Sequence, residues 1–211
     1  MSCCDNEPKF DGVSVAYKRA LWVVISINLV MFFVEIVAGF ASGSQALKAD
    51  ALDFAGDSMT YTISLLVIGS TIAVRAKAAL FKGALLFLIA GAVLGMTLLR
   101  SLSGEPPVAA TMGVVGFAAL VANFVSVLIL LKWRNGDSNV RSVWLCSRND
   151  AIGNVGVMIA GGVVAITGSA WPDLILAFIL AGVFGRSAWE ICSLAVAELR
   201  SPPARTKSGT A

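Results

Sequence analysis

The chain is 211 residues long, 57% hydrophobic and only 14% charged, with a net charge of +3 and no histidine. A mean hydropathy of +0.84, with a charged fraction far below the roughly 25% of soluble domains, marks an integral membrane protein and excludes a soluble globular one. The tails, 1–17 and 200–211, are too short to bury cores of their own, which leaves one transmembrane domain over 18–199.

The first predicted span covers 18–40. Its apolar run is too long for a signal-peptide core and is interrupted by Glu35. Asn28 and Glu35 lie seven residues apart on one helical face, placed to line a polar path or to bond a neighbouring helix. The second span, 46–72, contains DALDFAGD. Asp53 and Asp57 are four residues apart and share a helix face, while Asp50 reads as a cap or an interhelical hydrogen bond. The segment AVRAKAALFKG that follows reads as a short amphipathic continuation of that helix.

Further spans are expected at 83–103, 110–133, 143–167 and 172–198, separated by the breakers SGEPP, RNGDSN and TGSAWP. Gly91-x-x-x-Gly95 lies mid-span and is the better helix-packing candidate; Gly39-x-x-x-Gly43 is the other. The fifth span opens on CSRND, where Cys146 and Asp150 repeat the four-residue spacing. Taken alone, Cys146 reads as a small buried hydrophobe and Asp150 as a partner of Arg148 or Arg141. In the sixth span, Arg186 and Glu190 are spaced as an ion pair.

Twelve Lys and Arg residues fall in the tails, at the start of the first span (Lys18 and Arg19) and in the loops at 73–82 and 132–142, whereas the opposite side holds only Lys48 and Arg100. That bias places both termini in the cytoplasm and fits an even number of spans. The expected fold is therefore all-α, a polytopic membrane protein of six transmembrane helices.

An Asp at the bilayer centre costs roughly 2.5–3.5 kcal/mol, so two in one span need a reason. A divalent cation supplies one. Paired i, i+4 ligands on two helices make a four-coordinate site, with Asp53, Asp57, Cys146 and Asp150 as its metal ligands. Three carboxylates and a thiolate suit Zn²⁺ or Cd²⁺, and because they must lose protons to bind, metal and proton are linked. No catalytic constellation is present, and neither enzymatic activity nor a prosthetic group is expected. The charge gives no sign of nucleic-acid binding. Cys3 and Cys4, adjacent in the N-terminal tail, offer either metal-capturing thiols or an incidental pair.

GSQALKADALDFAGDSMTY resembles the second-helix motif of the cation diffusion facilitator family, and NDAIGNVGVMIAGG its fifth-helix segment. NLVMFFVEIVAGFASGS looks like the family's first helix and WPDLILAFILAGVFGRSAW its sixth, so the resemblance covers about 20–198. It implies a homodimeric exporter that exchanges Zn²⁺ or a related ion for protons by alternating access, in a bacterial inner membrane. It also implies a transport site at Asp53, Asp57, Cys146 and Asp150. Two departures are expected to matter. Cys146 stands where the family usually has His or Asp, which tilts the site toward softer ions. The chain also ends about a dozen residues after its sixth span, where many members carry a soluble domain, so dimerisation is expected to rest on membrane contacts. The alternatives are a metal sensor or accessory subunit without flux, and a proton-coupled carrier of a small solute.

Overall fold

A computed structural model describes residues 14–68, 70–135 and 138–200. Among them are six α-helices and no strand: α1 (Val15–Ser42), α2 (Gln45–Leu66), α3 (Ile72–Ser101), α4 (Ala109–Leu130), α5 (Ser138–Thr167) and α6 (Trp171–Arg200). A 3₁₀ turn, Leu131–Trp133, follows α4. The all-α polytopic expectation holds.

Local chemistry sets the helix ends. Ser14, Ser44 and Thr71 are N-caps whose hydroxyls accept from the backbone N–H groups of Tyr17, Leu47 and Val74. Gly43, at φ 75°, ends α1 in the left-handed region that favours glycine. The Thr71 cap also corrects the expected second connector. AVRAKAALFKG belongs to α3, which starts at Ile72 rather than near 83. Its Ala, Lys and Arg residues are good helix formers once a cap starts them. Lys82, expected in a loop, accordingly sits inside α3 and donates to Ser64 Oγ at 2.6 Å.

Five of the helices contain stretches long and apolar enough to cross a membrane. The exception is α2, whose 22 residues are about 33 Å long but carry Lys48, Asp50, Asp53 and Asp57. Its neighbours account for the polarity: α2 packs on α1, α3, α5 and α6, and half of its residues are buried. The other main pairings are α3 with α6 and α4 with α5. Phe33, Phe40, Phe87, Phe117 and Phe124 point outward, as a lipid-facing surface requires.

Three connectors gather at one end of the bundle. The Val108 N–H donates to the Ser42 carbonyl at 3.0 Å. The Asp173 carboxylate accepts from Ser44 Oγ at 2.5 Å and from the backbone N–H groups of Gln45 and Ala46 at 2.7 and 3.0 Å, so α6 caps α2. At the other end, Tyr17, Leu21, Tyr61, Leu130 and Val143 form a buried cluster. The two glycine pairs behave opposite to expectation. A Cβ at Gly91 or Gly95 meets nothing within 4 Å, whereas one at Gly39 meets Lys48 Cγ at 2.8 Å. The α1–α2 seam is the close one.

Candidate metal centre

In α2, Asp57 stands twelve residues in from Gln45; in α5, Asp150 stands twelve in from Ser138. Twelve residues are about 18 Å of helix, so antiparallel packing brings the two to the same depth from opposite ends. The carboxyl of Asp150 lies beside those of both Asp53 and Asp57. Three of the four residues singled out by spacing therefore meet across α2 and α5. The fourth, Cys146, lies one turn before Asp150 in α5; its side chain is outside the described residues. Cys3 and Cys4 are outside them as well.

Each of the three aspartates is partly buried. Adjacent carboxyls are accommodated by a proton shared between them or by a cation. No group of three or more His, Asp, Glu or Cys residues forms a ready metal shell among the described residues. The arrangement is one from which shared protons must leave before a cation can enter.

The spacing argument missed Tyr61, whose hydroxyl donates to Asp57 Oδ2 and lies 3.5 Å from the Val143 carbonyl. Buried and clamped between α2 and α5, it orients Asp57; its position four residues after Asp57 was the available signal. The positive charge of Lys82 also acts on Asp57.

A second polar system adjoins the first. The Asn154 amide donates to Asp50 Oδ2 at 2.5 Å, and Asn123 donates to Asn154 Oδ1 at 2.9 Å. Asp50 thus makes the interhelical bond expected of it. Asn154 follows Asp150 by four residues, so Cys146, Asp150 and Asn154 form one stripe of α5. Arg186 and Glu190 pair at 2.9 Å on an exposed face, away from this centre.

Residues 21–199 match the family model described as the cation efflux transmembrane domain. The chain belongs to the cation efflux family. Among its relatives, the zinc transporter ZitB of Yersinia pestis is 28% identical over 194 residues, covering 86% of this chain and 62% of that protein. The metal cation efflux system protein CzcD of Cupriavidus metallidurans is 28% identical over 176 residues, covering 77% of this chain and 55% of CzcD. A cadmium, cobalt and zinc/H(+)-K(+) antiporter of Bacillus subtilis is 26% identical over 196 residues, covering 83% of this chain and 61% of that one. This cation efflux chain therefore spans 55–62% of the length of these relatives. The matched region contains α2 and α5 with all four candidate ligands.

Proposed function

We propose that the protein exports a divalent metal ion, Zn²⁺ or Cd²⁺, across the membrane in exchange for protons, with Asp53, Asp57, Cys146 and Asp150 as the ligands. The observation that carries this reading is the meeting of Asp150 with both Asp53 and Asp57 at matching depths in two antiparallel helices. Three carboxyls in an apolar bundle are costly unless protonated or neutralised by a cation. Both occupants satisfy the same oxygens, so they compete. A proton-loaded cluster is closed by its own hydrogen bonds, and a metal-loaded one has released them. Tyr61 holds Asp57 in place in either state. Alternating exposure of the cluster to the two sides then converts competition into exchange. The names of the relatives, zinc transporter and cation efflux protein among them, support metal as the cargo.

The reading places both termini in the cytoplasm, on the basic-residue bias, and has two copies paired through membrane contacts. The test is metal uptake into proteoliposomes under an imposed pH gradient. Uptake is expected in the wild type and nearly absent in Asp57→Asn; unchanged uptake in the variant would sink the assignment. A protein that binds metal without flux would be the sensor or accessory subunit instead. Cys146→His is expected to move selectivity from Cd²⁺ toward Zn²⁺, and equal relative rates before and after would remove Cys146 from the ligand set.

A further inference from the structure

We propose that Asn154 is a positioning residue of the metal centre: clamped between Asp50 and Asn123, it fixes the register of α5 against α2 and so keeps Asp150 level with Asp53 and Asp57. This rests on the metal reading above and names the residue that sets the geometry of its site.

Asn154 is wholly buried in α5, four residues after Asp150 and on the same face. Its amide nitrogen donates to Asp50 Oδ2 of α2 at 2.5 Å, and its carbonyl oxygen accepts from Asn123 Nδ2 of α4 at 2.9 Å. Asp50 and Asn123 are 4% and 2% exposed, so bulk water does not compete for either bond. Asn123 also decides which end of the Asn154 carboxamide faces α2. By engaging the carbonyl oxygen, it leaves the N–H donors for Asp50.

The rest of the α2–α5 seam is poorly suited to define a register. At one end Tyr61 packs with Val143; at the other Leu47 packs with Val157 and Ala160. Apolar packing is non-directional, and the 3.5 Å from the Tyr61 hydroxyl to the Val143 carbonyl is longer than an ordinary O–H···O bond. The α4–α5 seam is tight instead. A Cβ at Gly116 would stand 3.1 Å from Val157 Cγ1, and one at Gly161 2.9 Å from Met112 Cβ. Asn123 and Asn154 thus belong to one closely packed helix pair, and the bond to Asp50 ties that pair to α2.

Register matters to a metal site because its tolerance is small. A slip of one residue along α5 moves Asp150 by about 1.5 Å and turns it by about 100°. A bound ion holds its ligand distances to within about 0.2 Å. Cys146, one turn before Asp150 in the same helix, is carried by the same register. Asn154 therefore acts on the ion through the helix that presents its ligands.

The experiment measures zinc binding by calorimetry and the visible absorption of bound Co²⁺ on purified wild type, Asn154→Ala, Asp50→Ala and Asp50→Asn. Co²⁺ reports geometry, because a four-coordinate ion absorbs far more strongly than a six-coordinate one. Asn154→Ala and Asp50→Ala are each expected to bind zinc at least about tenfold more weakly and to lose Co²⁺ band intensity. Asp50→Asn, whose carboxamide oxygen still accepts from Asn154, is expected to bind zinc within about threefold of wild type with an unchanged Co²⁺ spectrum. A residue that only supported the fold would lower the melting temperature and leave the bound ion's spectrum alone. A wild-type zinc affinity or a wild-type Co²⁺ spectrum in Asn154→Ala therefore overturns the proposal. A tenfold loss in Asp50→Asn overturns it too, since the charge of Asp50 and not its hydrogen bond would then be the active element. Should Asn154→Ala fail to give a monodisperse protein, Asn123→Ala, which frees the Asn154 carboxamide to turn, is held to the same two criteria. A wild type that binds neither metal overturns the metal reading and this proposal with it. A wild type that binds both while Asn154→Ala binds them identically overturns this proposal alone.

Discussion

Asp150→Asn separates a metal site from a merely structural polar cluster. Asp150 is the one carboxyl that touches both Asp53 and Asp57, and the substitution keeps its shape while removing its charge. A carboxamide brings its own N–H donors, so it can hydrogen-bond both aspartates with no proton to share. The metal-free protein is therefore expected to be as stable as wild type, or more so. Metal binding should suffer. Removing one member of a buried charge set costs about 3–5 kcal/mol, and 2.8 kcal/mol is already about a hundredfold in affinity. With metal at about one hundred times the wild-type Kd, binding stabilises the wild type by about 2.7 kcal/mol; after a hundredfold loss the gain is about 0.4 kcal/mol. At about 2–4 °C per kcal/mol for a chain of this size, a wild-type metal shift of about 5–11 °C falls to about 1–2 °C. Thermal unfolding of purified protein with and without Zn²⁺ or Cd²⁺ reads both quantities. A variant with the full metal-induced shift would refute the ligand role, and one that unfolds well below wild type without metal would refute the account of the hydrogen bonds.

Asp173→Ala leaves three donors at the start of α2 without their acceptor and is expected to lose at least about 1.5–3 kcal/mol, with Asp173→Asn less affected; equal melting temperatures would show that α6 does not hold α2. Gly83→Ala drives a methyl into Cys192 Sγ and to 3.2 Å from the Ala188 carbonyl, an overpacking expected to cost about 1–3 kcal/mol. Gly91→Ala, with nothing within 4 Å, is expected to be neutral or to gain about 0.5–1 kcal/mol. Equal effects of the two glycine substitutions on thermal unfolding would contradict the packing of α3 on α6.

Composition determined that the chain is a membrane protein, and apolar runs with breakers determined six helices to within a few residues at most ends. The place that reading failed, the start of α3, is where a charged segment makes good helix that hydropathy alone does not register. Spacing also determined which polar groups share a face: Asp53 with Asp57, Cys146 with Asp150, Asn28 with Glu35. What it did not contain is which face meets which. Both glycine pairs have the same spacing, but Gly39 is pressed against Lys48 of α2 and Gly43 against Arg100 of α3, while a Cβ at Gly91 or Gly95 would meet open space. Likewise Asp50, one turn from Asp53, bonds Asn154 of α5. The periodicity of a helix is local and can be read from the residues along it. The partners of each face are set by packing between segments far apart in the chain, and only the tertiary structure brings Asp150 of α5 beside Asp53 and Asp57 of α2 while Asp173 of α6 turns to the start of α2.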